Sequence, residues 1–171
     1  MMTLITGGAK CGKSHLAEKL LDGFTDNKYY IATMKPFGED AFAAIERHRK
    51  KRAGKGFETI EKYTDIHEIS VPENSAVLLE CIANLCANEM FDNKTAADPV
   101  KHISDGINLL KNCSSKLVIV TNNVGSDGIN YTSGTMRYIE AMGRLNALIA
   151  DISDNVVECV YGVPIVLKGK L

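Results

Sequence analysis

The chain has 171 residues, 45% of them hydrophobic, which is enough for one well-buried core and short for two ordinary domains, so we expect residues 1–171 to form a single domain. Its formal net charge of -1 at pH 7 gives no general attraction to nucleic acid or to an anionic membrane surface, so any anion site is expected to be local and its ligand small. The first residues lack the basic start and long apolar region of a signal peptide, and no apolar run approaches the length of a membrane span, so we expect a cytoplasmic protein.

The first predicted elements are a strand over residues 2–6, a glycine-rich loop and a helix over residues 15–21. The loop reads GGAKCGKS and fits the phosphate-loop pattern G-x-x-x-x-G-K-[ST]. In such a loop the backbone N–H groups surround a phosphate, Lys13 reaches the outer phosphates and the Ser14 hydroxyl is a ligand for Mg²⁺. The alternative is a chance glycine-rich turn, and the strand and helix on either side argue against it. The predicted nucleotide-binding residues of the loop are Gly7, Gly8, Ala9, Lys10, Cys11, Gly12, Lys13 and Ser14.

The rest of the chain alternates between strand-like and helix-like patterns. Strands are predicted where β-branched and aromatic residues cluster, and helices where apolar residues recur every three or four positions. In chain order, the predicted elements are a strand over 28–33, a helix over 40–52, a strand over 57–61, a short helix over 64–70 capped by Thr64, a strand over 75–81, helices over 82–91 and 98–112, a strand over 116–121, a helix over 135–150, and strands over 155–161 and 164–168. This alternation predicts an α/β fold with a mostly parallel sheet, helices on both faces and ligands at the carboxyl ends of the strands.

A carboxylate is expected at the end of the strand over residues 75–81. Glu80 follows the apolar residues Val77, Leu78 and Leu79, and a phosphate-loop fold places an acidic group at such a strand end to hold Mg²⁺ or its waters. A solvated strand-end acid is the alternative. We favour the Mg²⁺ interpretation because the apolar strand would otherwise bury the carboxylate without a cationic partner.

A dense basic cluster covers residues 47–55 and contains His48. It fits a solvated helix end, whose cations complement the negative end of the helix dipole. It also fits a nucleic-acid patch, although the net charge and the few aromatic residues nearby argue against that. The third interpretation is a triphosphate site, because flanking positive charge disfavours the imidazolium form of His48 and leaves a neutral imidazole able to attack phosphorus.

The cysteines and the other histidines show no strong pattern. The five cysteines lie mostly in apolar stretches and contain no C-x-x-C pair, so we expect buried thiols with neither a disulfide nor a zinc site. His15, His67 and His102 are interpreted as surface or solvated helix residues.

Taken together, these motifs resemble the bifunctional adenosylcobinamide kinase / adenosylcobinamide-phosphate guanylyltransferase family. The similarity runs in order over essentially the whole chain. Its motifs are GGAKCGKS, Ile31-Ala32-Thr33, Ile45-Glu46-Arg47-His48-Arg49 with Arg52, Phe57-x-Thr59-x-Glu61, Leu78-Leu79-Glu80-Cys81, Val120-Thr121-Asn122-Asn123-Val124-Gly125 and Gly143-x-x-Asn146.

The resemblance implies a RecA-like phosphate-loop NTPase fold, a homotrimer and two reactions. In the first, ATP or GTP phosphorylates the aminopropanol hydroxyl of adenosylcobinamide. In the second, GTP gives its GMP to a histidine and releases pyrophosphate, and adenosylcobinamide phosphate then takes the GMP to become adenosylcobinamide-GDP. Carried over by position, His48 is the guanylylated residue. The implied nucleotide-binding residues beyond the loop are Ala32, Thr33, Met34, Arg49, Lys50, Lys51, Arg52, Glu61 and Glu80, and the implied Mg²⁺ ligands are Ser14 and Glu80.

Three positions depart from the usual residues of the family: Asn123 stands in place of Glu, Phe57 in place of Trp, and Glu80 in place of Asp. The first departure bears on the kinase reaction, because a carboxylate near the acceptor hydroxyl can serve as its base. At this stage two alternatives remain open. One is a phosphate-loop kinase of another small metabolite in which His48 is structural, and the other is a nucleotide-dependent switch or nucleic-acid-binding ATPase.

Overall fold

The computed structural model describes residues 1–92 and 98–171. Within the helix over residues 38–52, the side chains of Asp40, Ala41, Ala44, His48, Lys51 and Arg52 lie outside the described part. The strands are β1 (Met2–Thr6), β2 (Lys28–Ala32), β3 (Phe57–Glu61), β4 (Ala76–Glu80), β5 (Lys116–Val120), β6 (Asn155–Val160) and β7 (Val163–Lys168). The helices are α1 (Lys13–Leu20), α2 (Gly38–Arg52), α3 (Ile82–Phe91), α4 (Pro99–Cys113) and α5 (Ser133–Ile152), with a 3₁₀ helix over Ile66–Glu68.

The described strands form one sheet in the order β3-β2-β4-β5-β1-β6-β7. Neighbouring strands run parallel except β6 and β7, which are antiparallel. The central strands β4 and β5 are mostly apolar, with Ala76–Leu79 and Leu117–Val120 buried, because both of their faces are covered, as parallel sheets require. The predicted α/β fold with a mostly parallel sheet is therefore confirmed.

Successive residues of the central strands face opposite sides of the sheet and enter two separate apolar clusters. Val77 and Leu79 of β4 pack on the side of α3, α4 and α5. Leu78 of β4 packs on the side of α1, against Leu16 and Leu21. Burying both faces in this way fixes the register of β4, since a shift by one residue would exchange its two apolar sets.

The predicted short helix over residues 64–70 is wrong in its extent and in its cap. The structure has only the 3₁₀ helix, and the residue that precedes it is Asp65, in the left-handed conformation with φ 54° and ψ 45°. A sharp turn is needed there because Ile66 is only 1% exposed and packs into the core below α4. A regular helix starting at Thr64 would not present Ile66 alone to that core, so the local propensity is overruled by packing.

The five cysteines, all of which are described, are free thiols; Cys86 and Cys159 are buried as expected, whereas Cys11, Cys81 and Cys113 are only partly buried. Among the described residues, no helix combines the length and the apolar character that crossing a bilayer requires.

Candidate functional site

The loop between β1 and α1 is closed around the side chain of Lys13. This side chain is buried, and its Nζ donates hydrogen bonds to the carbonyl oxygens of Gly7 at 2.9 Å and Gly8 at 2.5 Å. Gly7 has φ +140°, and a Cβ there would lie 2.5 Å from the carbonyl oxygen of Cys159 on β6. The loop can therefore lie this close to β6 only with glycine at this position. The ammonium of Lys13 is held inside the loop. In the sequence motif, the lysine at this position contacts the outer phosphates of a nucleotide bound by the loop.

Ser14 and Glu80 are brought together at the edge of this loop. Ser14 is the second residue of α1, and its hydroxyl donates a hydrogen bond to Oε1 of Glu80, the last residue of β4. The hydroxyl of Tyr30 donates to Oε2 of the same carboxylate at 3.1 Å. A serine hydroxyl beside a carboxylate is a set of hard oxygen ligands, which suits Mg²⁺.

The ends of three adjacent strands line up beside Glu80. In the sheet register, Ala32 at the end of β2 pairs with Glu61 of β3 on one side and with Glu80 of β4 on the other. A cavity of about 190 Å³ opens over these strand ends, below α2. Its lining residues are Tyr30, Ala32, Met34, Pro36, Phe42, Ile45, Glu46, Arg49, Glu61, Tyr63, Glu80, Cys81 and Asn84. The lining thus combines charged side chains with apolar ones, and Glu80 connects it to the phosphate loop through Ser14.

The basic helix α2 contributes Arg49 to the cavity. Arg49 donates a hydrogen bond to Oε1 of Glu61, and the hydroxyl of Tyr63 donates to Oε2 of Glu61 at 3.0 Å. These hydrogen bonds, with that from Arg49 the stronger, hold the pKa of the Glu61 carboxyl below its ordinary value. In return, the contact with Glu61 raises the pKa of Arg49. Arg49 therefore stays a cation at the mouth of the cavity, where it can contact an anionic ligand.

The other predicted residues of the basic cluster are placed differently. Arg47 and Lys50 do not line this cavity; they line a shallow depression on another side of α2, together with Ala43 and Glu46. His48 lies in α2 between the cavity-lining residues Ile45 and Arg49. Its side chain, like those of Lys51 and Arg52, lies outside the described part, so the roles of these three stay predictions.

Thr33 and Asn88 hold the wall of the cavity together. Thr33 Oγ1 donates to the carbonyl oxygen of Cys81 at 2.9 Å and accepts from the Cys81 N–H at 2.8 Å. The Nδ2 of Asn88, on α3, donates to the carbonyl oxygens of Thr33 at 2.8 Å and Tyr63 at 2.9 Å. The N–H of Thr33 also donates to the carbonyl oxygen of Glu80 at 3.1 Å, so its hydroxyl and both of its backbone groups are engaged within the protein, and its predicted nucleotide contact stays a prediction.

Sequence reasoning did not find Tyr30, Tyr63, Asn84 or Asn88. The sequence signal for Asn88 is weak, because Asn84 and Glu89 are also polar in the mostly apolar helix over Ile82–Phe91. The structure shows that Asn88 is only 9% exposed. A buried amide is normally hydrogen bonded, so its position pointed to unpaired carbonyls nearby. The two tyrosines gave no such signal, since aromatic residues are ordinary in strands.

We predict that Asn88→Ala destabilises the fold and loosens the cavity. The substitution leaves two carbonyl acceptors without their donor, which should lower the free energy of unfolding by about 3 kcal/mol. The Michaelis constant for the nucleotide should rise as well, because Thr33 and Tyr63 are no longer held together. Urea denaturation and steady-state kinetics measure both. Asn112→Ala, at an exposed position of α4, is the matched control and should change the unfolding free energy by no more than about 0.5 kcal/mol.

The polar loop that follows β5 is anchored to α5 at its start. Thr121 Oγ1 donates to Oδ1 of Asn146 at 2.7 Å, and Nδ2 of Asn146 donates to the carbonyl oxygen of Asn122 at 3.2 Å. Val120 pairs with Glu80 on one side and with Ile5, two residues before the phosphate loop, on the other. Asn123, which is exposed, therefore follows a strand end that lies between Glu80 and the phosphate loop.

Comparison with known proteins relates nearly the whole chain to one family. The family model described as "Cobinamide kinase / cobinamide phosphate guanyltransferase" matches residues 3–167. The chain is 31% identical to the bifunctional adenosylcobalamin biosynthesis protein CobU of Escherichia coli strain K12, over 98% of this chain and 100% of that protein. It is 30% identical, with the same coverage, to the protein of the same name from Salmonella typhimurium. These matches confirm the resemblance found in the sequence.

Among solved structures, a DnaB-like replicative helicase is similar with a TM-score of 0.50 and 10% sequence identity, covering 96% of this chain and 53% of that one. At this identity the likeness concerns the fold alone. It confirms the predicted phosphate-loop NTPase architecture.

Proposed function

The chain belongs to the cobinamide kinase / cobinamide phosphate guanyltransferase family, and we propose that the cavity beside its phosphate loop serves both reactions of that family. The protein is an enzyme of cobalamin biosynthesis with kinase and nucleotidyltransferase activities. One domain has to place the terminal phosphate for the kinase step and the first phosphate for the transfer of GMP.

One observation carries the proposal: Glu80 belongs to both halves of the site. Its carboxylate accepts a hydrogen bond from the hydroxyl of Ser14, in the phosphate loop. Glu80 also lines the cavity, together with Arg49 of the basic helix. A triphosphate held by the loop therefore extends toward the helix that carries His48. The apolar residues Met34, Phe42 and Ile45 give the far end of the same cavity a surface for a nucleobase or for part of the corrinoid.

Mg²⁺ fits the pair formed by Ser14 and Glu80. A hydroxyl and a carboxylate already in contact are ligands that a Mg²⁺-triphosphate complex uses in phosphate-loop proteins. We propose that these two side chains hold the ion or its waters. When bound, the ion neutralises charge on the phosphate oxygens, and Lys13 adds a second positive charge beside them.

In the kinase reaction, the aminopropanol hydroxyl of adenosylcobinamide attacks the terminal phosphorus. A new O–P bond forms, the bond to the nucleoside diphosphate breaks, and the hydroxyl proton passes to water. We propose that Asn123 makes this step slow relative to GMP transfer, because an amide cannot accept that proton as a carboxylate does.

We predict that Asn123→Glu raises the kinase rate about tenfold or more and leaves GMP transfer unchanged. Asn123→Gln is the matched control, because it has the length of glutamate without the base, and it should leave the kinase rate at the wild-type value. Rates of adenosylcobinamide phosphate formation measure the effect. Equal kinase rates in all three proteins would show that Asn123 does not limit the kinase reaction.

In the guanylyltransferase reaction, a neutral imidazole nitrogen of His48 attacks the α-phosphorus of GTP. An N–P bond forms and pyrophosphate leaves with its electron pair. A phosphate oxygen of adenosylcobinamide phosphate then attacks the same phosphorus, which forms adenosylcobinamide-GDP and returns the imidazole. The intermediate allows the bulky corrinoid to enter after pyrophosphate has left.

Labelled GTP tests this proposal. Protein incubated with GTP labelled at the α-phosphate should keep the label after denaturation, whereas GTP labelled at the γ-phosphate should leave none. Addition of adenosylcobinamide phosphate before denaturation should remove the α-label. Absence of label from both nucleotides would favour a kinase without a covalent intermediate, and retention of the γ-label would point to a phosphorylated enzyme instead.

We propose further that the protein is a homotrimer. The edge strand β7 supports association, since its residues Val163, Ile165 and Leu167 are exposed although apolar. Exposed apolar residues on an edge strand are unfavourable in an isolated protein, and contact between copies would cover them. Sedimentation equilibrium measures the mass of the assembly, and a monomer at all concentrations would contradict this proposal.

A further inference from the structure

Away from the cavity, three side chains that can bind a metal ion meet between the 3₁₀ helix and α4. They are Asp65, His67 and His102, and one ligand atom of each lies within 4.8 Å of the other two. Oδ1 of Asp65 and Nε2 of His102 are 2.9 Å apart. The rings of His67 and His102 pack edge to face, with their centroids 4.7 Å apart. Two imidazoles and one carboxylate therefore bring their ligand atoms close together in one place.

The packing of α4 brings these residues together. Gly106 lies one turn after His102 on α4, and a Cβ there would stand 2.6 Å from Cγ1 of Ile66. The missing side chain lets the 3₁₀ helix lie directly on α4. Ile66 is fully buried in this contact, which places its neighbours Asp65 and His67 beside His102. The cluster is thus a consequence of a tightly packed contact and not of a chance meeting of surface side chains.

A second carboxylate stands behind the cluster. Glu89 of α3 is 1% exposed, and its Oε1 accepts the backbone N–H of Asp65 at 2.7 Å. The same oxygen lies 3.7 Å from Nε2 of His102. Two carboxylates beside two imidazoles create a negative potential. This potential attracts a cation and lowers the free-energy cost of burying the charge of that cation.

We propose that Asp65, His67 and His102 bind a divalent transition-metal ion, with Zn²⁺ as the first choice, and that Glu89 supplies negative charge from behind. Two imidazoles with one carboxylate are a common Zn²⁺ ligand set, whereas Mg²⁺ prefers oxygen ligands. The three ligand atoms lie within 4.8 Å of one another, so the exposed side chain of His67 has to turn towards the other two to complete a tetrahedral set. The cysteine pattern predicted no zinc site, but the ligands proposed here are histidine and aspartate side chains and not thiols.

The ion would brace one wall of the nucleotide cavity. Tyr63, which lines the cavity, is two residues before Asp65. Asn88 holds the carbonyl oxygen of Tyr63, and the next residue of α3, Glu89, holds the N–H of Asp65. An ion on Asp65, His67 and His102 therefore fixes this segment to α3 and α4 together. Its role is positioning, and the two reactions proceed at other residues.

Calorimetry with Zn²⁺ on protein saturated with Mg²⁺ tests the site. Wild-type protein should bind one Zn²⁺ per chain. His67→Gln and His102→Gln should each weaken Zn²⁺ binding about tenfold or more. His15→Gln, which alters an exposed histidine of α1, is the matched control and should bind Zn²⁺ as the wild type does.

Location and folding are checked separately. Anomalous diffraction at the zinc edge should place the ion within bonding distance of His67, His102 and Asp65, and Zn²⁺ should raise the melting temperature of wild type but not of His67→Gln. His67 is exposed, so its variant should melt like wild type in the presence of a chelator. An ion located elsewhere, wild-type Zn²⁺ affinity in either histidine variant, or no Zn²⁺ binding would overturn the proposal and leave Asp65 and His102 as a hydrogen-bonded pair.

Discussion

Lys13→Ala should abolish both reactions of the enzyme. The ammonium of Lys13 is fixed inside the phosphate loop by the carbonyl oxygens of Gly7 and Gly8. From there it can contact the outer phosphates of any triphosphate held by the loop, whichever phosphorus is attacked. Loss of such charge-assisted hydrogen bonds costs about 3 kcal/mol, which corresponds to roughly a hundredfold loss of GTP affinity.

Both rates should fall further than the affinity does, because Lys13 also stabilises the charge that develops as the phosphate bond breaks. Isothermal titration with GTP and Mg²⁺ measures the affinity, and product formation measures each rate. Lys19→Ala is the matched control, since Lys19 lies exposed on the same helix α1 and its loss should change neither quantity. Unchanged affinity and activity in Lys13→Ala would show that the triphosphate is not bound by this loop.

The sequence predicted those parts of the site that depend on neighbours along the chain. The strand β1, the loop and helix α1 are contiguous in the chain, so one segment of sequence is enough to predict all three. Glu80 could be placed because an apolar strand immediately precedes it and a parallel sheet collects its carboxyl strand ends at one edge. Arg49 could be assigned to the site only through the resemblance, since a basic helix end by itself is equally consistent with solvation.

The remaining parts depend on contacts between residues that are far apart in sequence. Tyr30 reaches Glu80 because β2 and β4 are neighbours in the sheet, although 50 residues separate the two. Nothing in the local pattern specifies that β3 and β2 flank β4 on one side and β5 on the other. His67 and His102 were interpreted as solvated residues for the same reason, because only the packing of Ile66 against Gly106 brings their rings together.

His48→Asn should remove GMP transfer and spare the kinase reaction. His48 lies in α2 beside Arg49, which borders the cavity with Glu80. An amide has no basic nitrogen that can attack the α-phosphorus, so no N–P bond can form. The rate of GMP transfer should fall by about three orders of magnitude or more, as losses of covalent nucleophiles do. Nucleotide binding should persist because the phosphate loop is unchanged.

Mass spectrometry can identify the intermediate directly. After incubation with GTP and Mg²⁺, wild-type protein should gain the mass of one GMP on the peptide that contains His48. The adduct should be labile to acid and stable to base, as a phosphoramidate of histidine is, which distinguishes it from a phosphate ester of serine or an acyl phosphate of glutamate. His15→Asn, the matched control on α1, should keep the adduct.

His48→Asn could lose the adduct because the nucleophile is gone or because the variant is misfolded and binds no nucleotide. The kinase rate of the variant distinguishes these two explanations. The terminal phosphoryl group passes directly from the triphosphate to a hydroxyl, so we expect this step to need Lys13 and the proposed Mg²⁺ ligands but no imidazole. A variant that retains phosphorylation of adenosylcobinamide is folded and binds its nucleotide, and the missing adduct then identifies His48 as the nucleophile. An adduct on another residue, or full GMP transfer by His48→Asn, would contradict the mechanism and leave the basic end of α2 as a solvated helix end whose cations complement the helix dipole.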